Sequence, residues 1–183
     1  TAKMNRSGYG SGSGGGSATE NLLSDSLTAA GYRVNPKTVE LYSEHINDTA
    51  EQFIREIDMS YYGSSITSTY NAYGDAAIVT FSRTGQENAD CATNNVAGHA
   101  NQDDHYLQLD DNEKALIHHV KKSFKKVIVL INSSNIMQIP DLAEKRTDDN
   151  LGVDAILWVG SVGQDGCTAI AHILNGDITP SGH

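Results

Sequence analysis

The chain has 183 residues, which suits one domain of ordinary size and is short for a two-domain enzyme. It contains 13 lysine and arginine residues against 23 aspartate and glutamate residues, so its formal net charge is −10. This balance argues against a general nucleic-acid-binding protein and against a protein that binds anionic membranes, because both need a basic surface. No apolar run approaches the roughly 18 residues of a membrane span.

A glycine- and serine-rich stretch occupies residues 7–17, with the sequence SGYGSGSGGGS. This composition is typical of a flexible linker, and glycine also lets a backbone approach a ligand closely. No Gly-Lys-Ser or Gly-Lys-Thr follows it, and no GxGxxG pattern lies between a strand and a helix. A nucleotide-binding α/β protein is therefore the weakest hypothesis for this chain.

Two helices are predicted in the first third of the chain. Residues 20–30 carry apolar side chains at helical spacing and are followed by Gly31, a residue type that often ends a helix. The Asn-Pro pair at 35–36 is typical of a helix start, and apolar steps of three and four predict one long helix continuing over 39–57. Residues 61–73 show no apolar period, which predicts a loop.

The second half of the chain alternates strands and helices. Three apolar runs predict buried strands, at residues 76–81, 126–132 and 154–159. A capping-box pattern at Asp110 and Glu113 predicts the start of one helix, and a second helix is predicted over 165–176 with Cys167 on its apolar face. Strands that alternate with helices indicate an α/β fold with a mostly parallel sheet.

The long polar segment at residues 83–106 is the candidate active-site loop, because it directly follows the first predicted strand. Ligands of open parallel sheets bind at the carboxyl ends of the strands. A carboxylate on a glycine-containing loop at such a strand end is suited to general acid or base chemistry, and this segment offers Glu87 and Asp90. The alternative is that both are solvated loop charges.

Other titratable groups form weaker patterns. Four residues could form a metal patch, although a polar loop explains them better: His99, Asp103, Asp104 and His105. Cys91 lies close to acidic residues that disfavour a thiolate, and Cys167 is expected in the core. The histidines match no metal-binding spacing, so the sequence predicts neither a metal site nor a cofactor.

Three stretches, in this order, carry a family resemblance. Residues 77–91 read AIVTFSRTGQENADC, which is similar to a strand and loop written SRTxGEGxD. Residues 109–139 are similar to a helix and a strand that ends in an asparagine-serine turn. Residues 153–183 begin VDAILWVGSVGQDGC and are similar to DAILWxxxPGQEGGxAxADVLFGDxNPSG. Together these stretches resemble the C-terminal α/β sandwich domain of glycoside hydrolase family 3, the β-glucosidase family.

The resemblance covers nearly the whole chain and implies a single domain over residues 1–183. The implied fold is an α/β sandwich whose mostly parallel sheet has helices on both faces and lacks its first strand in this chain. The resemblance also favours interpreting residues 7–17 as a loop at the rim of an active site rather than as a linker.

The family implies a retaining β-glycosidase in which a barrel domain, absent from this chain, carries the nucleophilic aspartate. By matched position the acid/base residue is Glu87. The GEG of the family appears here as Gln86-Glu87-Asn88, which keeps the carboxylate and replaces both glycines. The family's PGQEGG appears as residues 162–167, VGQDGC, which loses the proline and one glycine.

The implied partners are a β-linked oligosaccharide or glucoside and the N-terminal barrel domain, in cis or as another chain. The alternative is a non-catalytic carbohydrate-binding or structural module that kept the fold. Because the sheet would have unpaired edges, a homo-oligomer also stays open. Six aromatic residues could stack on sugars, and none is assigned to substrate: Tyr9, Tyr61, Tyr62, Tyr70, Tyr73 and Trp158.

Overall fold

Three parallel strands form one open sheet in the computed structural model, which describes residues 4, 22–45, 55–85 and 90–180. The strands lie in the order β1 (Ala77–Arg83), β2 (Val127–Ser133) and β3 (Ala155–Trp158). Phe81 is paired with Ile131, and Ile131 in turn with Trp158. The three predicted strands and the α/β fold class are confirmed.

Five helices connect and cover the strands in the described part of the chain: α1 (Leu23–Ala29), α2 (Pro36–Glu44), α3 (Ser64–Thr67), α4 (Asp111–Ser123) and α5 (Gly166–Asn175). The predicted capping box starts α4, because the Asp110 carboxylate accepts from the Glu113 amide at 2.7 Å while the Glu113 carboxylate accepts from the Asp110 amide at 2.9 Å. Gly31 ends α1 and Gly176 ends α5, both with positive φ. The described ranges also contain three short 3₁₀ helices, at 59–61, 70–72 and 140–143.

The sheet is packed on both faces because successive side chains of a strand point to opposite sides. Val129 and Ile131 of β2 belong to one core with Leu116 of α4. Leu130, between them, belongs to a second core with Cys167 of α5, which confirms the interior position predicted for that cysteine. None of the helices in the described ranges is long and apolar enough to cross a membrane.

The predicted long helix is wrong in its described part. α2 begins at Pro36 as expected and ends at Glu44, and residues 55–58 are not helical, while 46–54 lie outside the described residues. Val39 is 38% exposed, and Leu41 instead buries its side chain. Of the predicted apolar face, Tyr42 packs against the core as expected, whereas Val39 does not, because α2 is short and buries Leu41 instead.

Two further predictions are corrected by the packing. Residues 61–73 are not a plain loop, since they contain α3 and place Tyr62, Ile66 and Tyr70, each four residues from the next, in the core. The strand β3 was predicted to be buried, but it lies at the edge of the sheet, and its Trp158 is 60% exposed. An apolar run predicts a strand without indicating its place in the sheet.

Candidate active-site edge

The carboxyl ends of the three strands are joined by a buried asparagine. The Ser82 hydroxyl donates to the Asn132 side-chain oxygen at 2.9 Å, and the Asn132 amide nitrogen donates to the Gly160 carbonyl at 2.6 Å. Ser82 and Asn132 are both buried, and Gly160, two residues after the end of β3, has a φ of +59°. These two bonds hold the exit points of all three strands in one geometry.

Arg83, the last residue of β1, is fixed by a buried ion pair. Its guanidinium donates to the two carboxylate oxygens of Glu113 at 2.7 and 2.6 Å, and the side chains are only 3% and 2% exposed. The other donors reach the carbonyls of Ser82, Tyr106 and Gln108, at 3.0, 2.6 and 2.6 Å. All five N–H groups of this guanidinium are therefore engaged.

The charge of Arg83 is maintained by this arrangement. Burial by itself lowers the pKa of the guanidinium, but the adjacent Glu113 carboxylate raises that pKa above its ordinary value. Arg83 is thus a cationic anchor at the point where the candidate loop begins. It has no donor left with which to bind a substrate.

Asp110 is a second buried carboxyl beside this pair. Burial and, next, the nearby Glu113 carboxylate raise the pKa of Asp110 to about 7, against the lowering effects of the hydrogen bond from the Glu113 amide and of the Arg83 charge. Its side chain caps α4 and packs against Gly98. We therefore assign Asp110 a structural role, although a raised pKa is typical of catalytic carboxyls as well.

Tyr106, the last residue of the candidate loop, is hydrogen-bonded to two earlier residues of the same loop. Its hydroxyl accepts a hydrogen bond from the Thr84 amide at 3.0 Å, and its own amide donates to the Ala92 carbonyl at 2.9 Å. The ring packs under the Arg83 guanidinium, whose carbon lies 5.4 Å from the ring centroid. One residue thus contacts the chain both before and after Glu87.

The exits of β2 and β3 are also in contact. The hydroxyls of Ser134 and Ser161 lie 2.8 Å apart, and the indole N–H of Trp158 donates to the Ser133 carbonyl at 2.6 Å. A Cβ on Gly85 would lie 2.7 Å from the side-chain nitrogen of Asn135, so the candidate loop passes close to the exit of β2 and a larger residue there would displace the Asn135 side chain.

Glu87 and residues 7–17 lie outside the described residues, so their predicted roles stay predictions. Asp90 is exposed. The predicted metal patch is not assembled as one site: His99 lies 3.4 Å from the Asp104 carboxylate, whereas His105 contacts Gln138 at 2.9 Å. Across the described ranges, no group of three histidine, cysteine, aspartate or glutamate side chains could hold a metal ion.

Sequence reasoning did not single out Arg83, Tyr106 or Asn132 as residues of this edge. The sequence does carry a signal for Arg83 and Asn132. Each is a polar residue in the last two positions of an apolar strand, which places it at the carboxyl end of that strand. Tyr106 carries no such signal, since its contacts depend on how a polar segment of more than twenty residues returns to the sheet.

An open parallel sheet covered by helices on both faces, with polar side chains joining the strand exits, defines an α/β domain whose ligands approach the carboxyl edge. The family model described as "Glycosyl hydrolase family 3 C-terminal domain" matches residues 2–183, so the chain belongs to this family.

Named relatives agree with this membership. The chain is 29% identical to a beta-glucosidase of Ruminococcus albus, over 97% of this chain and 18% of the relative. It is 27% identical to beta-glucosidase A of Butyrivibrio fibrisolvens, over 80% of this chain and 19% of that protein. The chain therefore spans about a fifth of the length of these relatives.

Solved structures show a likeness in fold. Beta-glucosidase 3B from Thermotoga neapolitana in complex with glucose matches with a TM-score of 0.74 and 24% identity, over 98% of this chain and 24% of that one. A beta-glucosidase from Paenibacillus barengoltzii matches with a TM-score of 0.74 and 23% identity, over 97% of this chain and 19% of that one.

Proposed function

We propose that this chain is the acid/base-carrying domain, over residues 1–183, of a retaining β-glycosidase that acts on β-glucosides or β-linked oligosaccharides. The family membership and the relatives named beta-glucosidase support a glycosidase role. The assignment to Glu87 rests on its matched position in the family pattern, four residues after Arg83. The ion pair between Arg83 and Glu113 anchors the carboxyl end of β1, from which this loop departs. The nucleophile would come from a barrel domain elsewhere in the complete polypeptide or in another chain.

The chemistry follows from the roles of the two carboxyl groups. In a retaining pair the carboxyl groups are roughly 5–5.5 Å apart, so Glu87 has to face an aspartate of the barrel domain across the bound sugar. Glu87 protonates the glycosidic oxygen while the bond from C1 to that oxygen breaks and the aspartate forms its own bond to C1. Glu87 then takes a proton from a water molecule, whose oxygen attacks C1 and releases the aspartate.

The test is hydrolysis of aryl β-glucosides by the complete natural polypeptide that contains this chain. Glu87→Gln should greatly lower turnover, because the amide can neither donate nor accept the proton that the reaction moves. Glu87→Ala should be rescued by azide, which attacks C1 without needing a base, and the product should be the β-glucosyl azide with retained configuration.

Two matched variants make the result specific to Glu87. Asp75→Asn alters an exposed carboxylate before β1, at the opposite end of the strand, and should leave turnover unchanged. Asp90→Asn tests the other carboxylate of the candidate loop. Azide rescue at residue 90 rather than 87 would move the acid/base role to Asp90. An inactive wild-type protein that still binds oligosaccharides would instead establish the carbohydrate-binding alternative.

A further inference from the structure

The segment at residues 96–104 docks on the start of α4. The Asp111 amide donates to the Gly98 carbonyl at 3.0 Å, and the Ala100 amide donates to the Asp111 carboxylate at 2.7 Å. Gly98 has a φ of +94° and packs against Asp110, because a Cβ at Gly98 would lie 3.5 Å from Oδ2 of that carboxyl. Every residue of this contact lies in the described ranges.

His99 is the buried side chain of this segment. Its side chain is only 2% exposed, and its Nδ1 has no hydrogen-bond partner among the described residues. The Asp104 carboxylate lies 3.4 Å from Nδ1 without the geometry of a hydrogen bond, and it lies 3.8 Å from the Lys114 ammonium. In the tautomer that carries its proton on Nε2, Nδ1 is an acceptor. A buried acceptor of this kind costs free energy until a donor reaches it.

His99 and Asp110 line the same small cavity. Its volume is about 10 Å³, which is the space that one water molecule needs. Oδ1 of Asp110 accepts from the Glu113 amide at 2.7 Å, whereas Oδ2 lies next to Gly98. A proton on Oδ2 is therefore a donor within reach of His99, either directly or through one water molecule. The remaining polar lining consists of Arg55, Arg83 and Tyr106.

The charge of Asp110 is sensitive to this contact. Burial and, next, the Glu113 carboxylate raise the pKa of Asp110 to about 7, while the Glu113 amide and the Arg83 charge lower that pKa. Part of the burial comes from Gly98, so the docked state holds a proton that an undocked Asp110 releases at lower pH. The other charged or titratable groups around the contact are Arg55, Glu56, His99, Asp104, Asp111 and Lys114.

We propose that the contact between residues 96–104 and the start of α4 is a proton-dependent latch, in which protonated Asp110 is the donor for His99. Loss of the proton removes this donor and leaves a second carboxylate beside Glu113. Docking therefore weakens as pH rises from about 4 to 7, and it weakens no further once Asp110 is ionised in both states. The latch does not rest on the proposed function.

Hydrogen exchange in the complete natural polypeptide, followed by mass spectrometry of peptic peptides at pH 5 and pH 7, tests the latch. Labelling times are scaled to compensate for the intrinsic pH dependence of amide exchange. One peptide covers residues 96–104 and reports local opening, and a second covers β2 and reports unfolding of the whole domain.

Two variants remove one partner each. Asp110→Asn keeps the cap of α4 and cannot lose a proton, and His99→Phe removes the acceptor while keeping an aromatic side chain. Asp25→Asn, which alters an exposed carboxylate of α1, is the matched control.

In wild type and in Asp25→Asn, residues 96–104 are expected to exchange faster than β2 at both pH values, and about tenfold faster at pH 7 than at pH 5. Asp110→Asn should abolish this acceleration, and His99→Phe should reduce it. Equal rates in the two peptides would mean that the segment is released only when the whole domain unfolds, which would overturn the latch. An unchanged rate of the segment in wild type, or full acceleration in either variant, would overturn it as well.

Discussion

The buried pair between Arg83 and Glu113 allows the sharpest prediction about stability. Glu113→Gln keeps the shape of the side chain, and its amide oxygen can still accept from the Asp110 amide in the capping box. What it removes is the negative charge opposite a guanidinium that is only 3% exposed. Two hydrogen bonds between ionised partners, at 2.7 and 2.6 Å, become at best one bond from the guanidinium to a neutral amide oxygen.

Two effects oppose each other in this variant. Leaving one partner of a buried ion pair without its counter-charge typically costs about 3–5 kcal/mol. Removing Glu113 also relieves its repulsion of Asp110, which returns part of that cost. The loss of the counter-charge dominates because it is in direct bidentate contact, and we expect the free energy of unfolding to fall by about 3 kcal/mol.

The measurement is urea unfolding of wild type and Glu113→Gln at pH 7, followed by far-ultraviolet circular dichroism and by the fluorescence of the single tryptophan, Trp158. For a urea m-value of about 2–3 kcal/mol/M, the midpoint should fall by about 1–1.5 M. The double variant Arg83→Met with Glu113→Leu should recover part of the loss, because neither charge of the pair is left without its counter-charge. The recovery is incomplete because three carbonyls lose the Arg83 donor and the Asp110 amide loses its acceptor. A cost below about 1 kcal/mol for Glu113→Gln would refute this account of the ion pair.

Two further predictions concern the interior. Because the pKa of Asp110 is raised to about 7, the folded state holds a proton that the unfolded chain releases near its ordinary pKa of 3.8, so this group makes stability fall as pH rises from about 4 to 7. Asp110→Asn keeps the cap and cannot ionise, so its urea midpoint should decline less over that range, and an unchanged pH profile would contradict the prediction. Phe81→Ala removes a fully buried ring of β1 and should lower the free energy of unfolding by about 3–5 kcal/mol, which the same urea titration measures. A loss of less than about 1 kcal/mol would mean that the space is refilled by neighbouring side chains.

Predictions succeeded where the signal lies within one element. Apolar runs of six or seven residues identified β1 and β2 to within two residues, because a strand buried on both faces needs apolar side chains at nearly every position. The start of α4 was equally clear, since Asp110 and Glu113 satisfy the first free amides of the helix within a single turn.

The predictions that failed depend on neighbours distant in sequence. β3 has the composition of an interior strand, yet its position beyond β2 leaves Trp158 largely exposed. Tyr62, Ile66 and Tyr70 lie at intervals of four residues, and separate short turns direct each of these side chains into the core. The strands and the helix that complete this core are distant from them in the sequence.

The sequence by itself determined the alternation of strands and helices, the ends of the helices at Gly31 and Gly176, and the family to which the chain belongs. Only the tertiary structure decided that Arg83 pairs with a glutamate thirty positions later and that Tyr106 bonds on both sides of the candidate loop. Periodicity and caps are satisfied within one element and can be read from its residues. A buried charge or hydroxyl is satisfied by whatever group the packing of the sheet and helices brings to it.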